Sequence, residues 1–234
     1  MLPYWCRMII NVITMKTLTF ALVLLATPSL AQEYRTHTPY ASQSLIMQQN
    51  RFDLNTVSSA GNLCQLEGTI QHNRWHDGNG CEVHFQTSNN TITLSVPERA
   101  QSACRQYCGH NAYFTGVYFA LPTACQAQAE KQMEQRFQAA YQQKNYSQAA
   151  QIKQDYLNQC QAFLHITDNM HTRNDLAISY KNAGDLAACR RVLQPLTSHI
   201  NPKPNETFQP SYLYQEAYER EVKHAQFNQR ACRS

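Results

Sequence analysis

Tyr113-Phe114-Thr115-Gly116-Val117-Tyr118-Phe119-Ala120-Leu121-Pro122 closes one kind of sequence, and Gln126-Ala127-Gln128-Ala129-Glu130-Lys131-Gln132-Met133-Glu134-Gln135-Arg136-Phe137-Gln138-Ala139-Ala140-Tyr141 opens another. The first run is aromatic and β-branched, a composition that fits a pleated, half-buried surface. The second is built from Ala, Gln, Lys and Glu, which lose little freedom in a helix, and no glycine interrupts the chain between Gly116 and Gly184. The change of pattern at Pro122 predicts an α+β protein: a small disulfide-stapled antiparallel β domain over 51–124, then an all-α domain over 125–234.

Upstream of the switch, short alternating runs are separated by turn residues. Phe52-Asp53-Leu54-Asn55-Thr56-Val57, Cys64 to Ile70, Cys81 to Phe85 and Thr91 to Val96 all alternate apolar with polar positions. His76-Asp77-Gly78-Asn79-Gly80 and Ser88-Asn89-Asn90 are turns. Pro97 to Gly109 reads as a short helix, and Tyr113 to Phe119 as the strand that closes a small sheet or barrel. Residues 32–50 are rich in Ser, Thr and Gln with no apolar period, and are expected to be a flexible linker.

Downstream, Gln126 to Gln143 and Tyr146 to Leu164 are expected to form a helical hairpin turning at Lys144-Asn145-Tyr146. A third helix is expected from Thr172 to Asn182 and a fourth from Leu186 to Leu196. Pro202 and Pro204 break the chain before a last helix from about Pro210 to Arg230. Ala140-Tyr141-x-x-x-Asn145-Tyr146-x-x-Ala149 and Leu176-Ala177-x-x-Tyr180-x-x-x-Gly184-Asp185-Leu186-x-x-Cys189-x-x-Val192-Leu193 resemble the helix end, turn and small-residue positions of tetratricopeptide repeats. Tyr146 and Leu186 lie 40 residues apart, longer than the usual period of about 34. The resemblance implies an irregular TPR-like helical domain that presents a groove to a protein or peptide. A generic helical bundle is the alternative.

The β region is similar in a second way. Cys64-x-x-x-Gly68, a strand beginning at Cys81, and the run from Cys104-x-x-x-Cys108-Gly109 to Tyr118 resemble the small β-barrel lysozyme inhibitors of bacterial periplasms. Those proteins act by inserting a polar loop into the enzyme's cleft. No residue of this chain is matched to that loop.

Lys16, the apolar run Leu18 to Ala26, and Ser29-Leu30-Ala31 have the order of an export signal. Residues 1–31 are expected to be removed by cleavage after Ala31, with Met15 an alternative start. An uncleaved anchor over residues 8 to 26 would have to bury Lys16. Export implies a periplasmic or secreted protein without stable membrane insertion. Loss of Cys6 with the signal leaves Cys64, Cys81, Cys104, Cys108, Cys125, Cys160, Cys189 and Cys232, an even set that reads as disulfides rather than metal ligands.

Hairpin register refines the pairing. Antiparallel helices turning near residue 144 bring Cys125 close to Cys160, and a last helix returning along the fourth brings Cys232 close to Cys189. Cys64, Cys81, Cys104 and Cys108 then pair among themselves, with strand cysteines to the Cys104/Cys108 turn favoured because this staples the short helix to the sheet.

Chemistry-bearing motifs are sparse. The formal charge of +4, lowered by two when Arg7 and Lys16 leave, gives no electrostatic footprint for nucleic acid. Cys104-Arg105-Gln106-Tyr107-Cys108 has three residues between its cysteines, one more than a thioredoxin-like pair. The strongest enzymatic reading would place a metal at His72, His76, His84 and His110, yet no H-E-x-x-H or paired C-x-x-C accompanies them. Surface or structural roles are expected for these histidines. No cofactor is expected, and no catalytic residues are assigned. Tyr212, Tyr214 and Tyr218 either pack the last helix onto its neighbours or form an aromatic patch that grips a protein or peptide of the cell envelope.

Overall fold

The structure, a computed structural model, describes residues 31–203, 205 and 208–233. The expected export signal, up to Leu30, therefore lies outside the described residues. The β domain comprises β1 (Gln32–Arg35), β2 (Ser42–Gln48), β3 (Arg51–Val57), β4 (Leu63–Thr69), β5 (Arg74–His76), β6 (Glu82–Ser88), β7 (Thr91–Ser95) and β8 (Gly116–Ala120). All ladders are antiparallel, and the order is β4-β3-β2-β1-β8-β7-β6-β5.

The two outer strands of this order are consecutive in the chain, so the sheet rolls up until β4 and β5 face each other. A single bridge, Gln71 to Arg74, links that turn, and side chains close the remaining gap. Trp75 lies against Gly68 across the seam, and its indole meets Phe52 edge-on at 5.7 Å and Tyr107 at 5.6 Å. One core of inward residues, including Leu45, Phe52, Leu54, Leu66, Val83, Phe85, Ile92, Leu94 and Tyr118, fills the interior. Alternation along each strand delivers these residues to one face, as a period of two requires.

Residues 32–50 are not a linker. They form β1, β2 and the connection that docks the β domain onto the helices. Their apolar signal is short because Leu45 is the one fully buried side chain of β2, while the adjacent Ile46 faces outward and Gln43 is spent on a hydrogen bond to the Tyr113 carbonyl. Trp75 lies in a strand of its own, β5, whose last residue, His76, the sequence pattern places in the following turn. Tyr113 to Thr115 precede β8 instead of belonging to it.

The chain between β7 and β8 crosses one end of the barrel. It contains a 3-10 turn, the short helix α1 (Gln101–Cys104) and a second 3-10 turn. Cys81–Cys104 and Cys64–Cys108 pin it to the strands, and the Gly109 N–H donates to the Leu63 carbonyl at 2.7 Å.

The helical domain comprises α2 (Ala127–Gln142), α3 (Tyr146–Cys160), α4 (Ile166–Asn182), α5 (Leu186–Leu193), α6 (Thr197–Ile200) and α7 (Gln215–Ala231). The turns of its two hairpins share one geometry. Lys144 and Gly184 take positive φ of 60° and 87°, and the next residues, Asn145 and Asp185, donate N–H to the Ala140 and Tyr180 carbonyls. The side chains of Asn145 and Asp185 then cap α3 and α5. This is a helix stop by a left-handed residue followed directly by a helix start. Cys125–Cys160 and Cys189–Cys232 tie helix ends in this domain.

Helix α4 begins at Ile166, ahead of the expected Thr172, because it is packed by α3, α5 and α7 and buries polar residues. Thr167, Thr172, Asn174 and Ser179 are all buried, which erases the amphipathic pattern.

The two domains meet along the β1–β2 connection. The His37 ring stacks on Phe119 at 3.9 Å and meets the edge of Phe163 at 4.7 Å. The Ile166 N–H donates to the Pro39 carbonyl at 2.7 Å, and Tyr40 lies 4.5 Å from Phe208. Burial holds His37, His165 and His199 below the ordinary histidine pKa, so neutral rings make this contact.

A Cβ on Gly68 would overlap the Trp75 indole. Gly68→Ala is therefore expected to destabilise the oxidised protein by about 1–3 kcal/mol, the usual cost of overpacking. Urea unfolding measures it, and an unchanged midpoint would mean that Trp75 does not close the seam.

Candidate functional site

Helix α2 turns one polar face outward, carrying Gln135, Gln138 and Gln142 at helical spacing beside Glu130 and Glu134. With His171 of α4 at its side, this face lines an open groove of about 740 Å³. Gln138 Nε2 donates to Glu134 Oε1 at 2.8 Å, whereas no side-chain hydrogen bond joins Gln135 or Gln142 to another described residue.

The floor of this region is ionic. Lys153 sits on the buried face of α3, its side chain 1% exposed, with Nζ 2.6 Å from Glu134 and 2.7 Å from Asp175. The ammonium also stands 4.4 Å over the Phe137 ring. Burying this cation is costly unless it is paired, and the two carboxylates supply the pairing. The three helices α2, α3 and α4 are thus joined by one charge.

A second network joins α4 to α7. Glu221, with a side chain 2% exposed, accepts from Asn174 Nδ2 at 3.0 Å and lies 3.4 Å from His171 Nδ1. Asn228 Nδ2 donates to the Asn174 carbonyl at 3.1 Å. Burial alone would raise the Glu221 pKa, but the hydrogen bonds from His171 and Asn174 outweigh it and hold the carboxyl down at about 2. The same bond to Glu221 raises the His171 pKa against the opposing effect of burial, with Asp175 assisting.

Glu134, His171 and Asp175 present ligand atoms within 4.8 Å of one another. The Lys153 ammonium already contacts both carboxylates of that set, so this chain supplies its own cation there. His72, His76, His84 and His110 do not come together. His72 holds a left-handed conformation in the turn before β5, His76 pairs with Glu82 in the β5–β6 ladder, and His84 Nε2 lies 2.7 Å from Glu82. His110 lies in the connection before β8. Cys104 and Cys108 are bonded to different strand cysteines and form no pair with each other.

Tyr212, Tyr214 and Tyr218 occupy three different environments. Tyr212 is 76% exposed and lies beside Gly61, Tyr214 stacks on His165 at 4.0 Å, and Tyr218 is buried with its hydroxyl 2.9 Å from His199 Nδ1. Sequence reading passed over Lys153, Asp175 and Glu221. Lys153 carried a legible signal, since it stands four residues from both Ala149 and Leu157 in the buried row of α3.

Comparison with known proteins finds no protein family, no curated protein and no solved structure that matches this chain. The fold and the site define an α+β protein with a disulfide-stapled barrel-like sheet and two helical hairpins of one turn type.

Glu134→Gln combined with Asp175→Asn would leave Lys153 buried and uncompensated, and is expected to cost about 3–5 kcal/mol in denaturant unfolding. The His171–Glu221 pair adds a pH signature. Its contribution is full between pH 4.5 and 6.5, the ordinary values of the two groups, and is lost as pH falls toward the Glu221 value of about 2 or rises through the raised His171 value. Glu221→Gln is expected to move the His171 titration, followed by NMR, toward lower pH, and an unmoved titration would show that the two groups are not coupled.

Proposed function

We propose that the chain is an exported, non-enzymatic binding protein whose helical domain offers the α2 groove to a protein or peptide of the cell envelope. The observation that carries this reading is the row Gln135, Gln138 and Gln142 along an open groove. Primary amides donate and accept at once, which suits the alternating N–H and C=O groups of an extended peptide backbone. The charges beneath the row are neutralised internally, so the groove presents hydrogen-bonding capacity more than net charge. The shared turn of the two hairpins supports a TPR-like repeat, and stacked helical pairs naturally leave an extended surface for recognition. The disulfides suit an oxidising, extracytoplasmic compartment. Among the described residues no helix is long and apolar enough to cross a membrane. Neither nucleic acid nor a cofactor is part of this reading.

Peptide display against the intact oxidised chain tests it. The combined change Gln135→Ala, Gln138→Ala and Gln142→Ala is expected to weaken a selected peptide about tenfold or more, because each lost hydrogen bond is worth about 0.5–1.5 kcal/mol. Thermal unfolding should be unaffected. Selected peptides that bind the triple variant equally well would remove the groove from the proposal.

A second reading, inhibition of a lysozyme-type cell-wall hydrolase by the β domain, is favoured by the eight-stranded rolled sheet with its disulfide-pinned connection. The full chain assayed against a panel of lysozymes decides it. Slowed hydrolysis at micromolar protein supports inhibition, and unchanged rates eliminate it.

A further inference from the structure

The connection between β7 and β8 crosses the end of the barrel without filling the space beneath it. Its path is fixed at both flanks. Cys81–Cys104 and Cys64–Cys108 hold the helical part, while the Tyr113 carbonyl accepts from Gln43 Nε2 at 3.2 Å and from Thr56 Oγ1 at 3.1 Å. The Tyr118 hydroxyl, rising from the barrel interior, donates to the Phe114 carbonyl at 2.8 Å. A cavity of about 780 Å³ remains between this connection and the end of β7. That volume falls within the range of about 300–1,000 Å³ typical of small-molecule sites.

The lining has two chemistries. Leu94, Ala112 and Phe114 are buried and give an apolar wall, backed by the half-cystines Cys104 and Cys108. Arg105 and His110 also line the cavity and are exposed, and among the described residues no Asp or Glu lines it. Arg105 forms no ion pair among the described residues, in contrast to Arg74 and Arg99, which both contact Glu82. An unpaired guanidinium beside an apolar wall is matched by a ligand with one anionic head and an apolar body.

We propose that this cavity binds a small anionic amphiphile, with a carboxylate or similar head on Arg105 and His110 and a hydrocarbon body against Leu94, Ala112 and Phe114. The site belongs to the β domain and is independent of the α2 groove. Because both disulfides hold the connection in place, the cavity is preformed and little ordering accompanies binding. Reduction of the disulfides releases the connection and is expected to abolish the site.

Calorimetric titration of the full oxidised chain with sodium decanoate below its micellar concentration tests this directly, with decyltrimethylammonium as the charge-reversed probe of equal chain length. One saturable site for decanoate is expected, with the cationic probe at least tenfold weaker. Arg105→Gln with His110→Gln, both at exposed positions, is expected to weaken decanoate about tenfold or more without shifting thermal unfolding. Thr115→Trp, at another exposed lining position, is expected to obstruct the cavity and remove binding of either probe. No saturable uptake of decanoate, equal uptake of the two probes, or undiminished binding in both variants would overturn the proposal.

Discussion

Each of the two small cores is built by a chain whose most decisive segments are polar, and the disulfides within each domain make this possible. Each bridge closes a loop of between 23 and 44 residues, and restricting such loops in the unfolded chain contributes about 3–4 kcal/mol apiece in the chain-entropy account. In the β domain the bridges fix the crossing from β7 to β8, a segment with little regular structure of its own. In the helical domain they fasten the start of the first hairpin to its end, and α5 to the end of α7. The cavity at the barrel end and the groove along α2 both sit on elements positioned by these bonds.

Within the helical domain the remaining organisation is electrostatic. Lys153 gathers Glu134 and Asp175, and Glu221 gathers His171 and Asn174, so α2, α3, α4 and α7 are joined by buried or half-buried charge in addition to apolar packing. Such networks favour one arrangement of helices, since any other leaves a charge without its partner. The contact between the domains has the opposite character. His37, His165 and His199 sit among aromatic rings and are held neutral by burial, so acid acts against that contact, while it leaves His171 charged and its pairing intact down to the carboxylate range.

Much of this architecture is legible in the residues. The strands containing Leu54, Leu66, Phe85 and Leu94 alternate cleanly because one face of each is buried and the other wet. The hairpin turns announce themselves in Asn145 after Lys144 and Asp185 after Gly184. Cys125 and Cys160 meet because the turn fixes the register of α2 against α3. What hid was structure made by polar residues. β2 has Leu45 as its one fully buried side chain and the outward Ile46 next to it, so its period vanished. The first turns of α4 carry Thr167 and Thr172, which read as solvent-facing but are buried where neighbouring helices pack on them. The α2 groove is half legible: Ala, Gln, Lys and Glu mark the helix that carries it, but the Lys153 charge beneath depends on three helices converging, which no local spacing encodes. Tyr212, Tyr214 and Tyr218 are close in sequence and yet part company in space, since a turn precedes α7 and only Tyr218 faces its core.

The account rests most directly on which sulfurs are joined. Peptide mapping by mass spectrometry of the unreduced protein, purified without added oxidant or reductant, is expected to recover Cys64 with Cys108, Cys81 with Cys104, Cys125 with Cys160 and Cys189 with Cys232, with none of these eight thiols free. A Cys104–Cys108 linkage, a Cys125 peptide joined to anything but Cys160, or free thiols at these positions would contradict it.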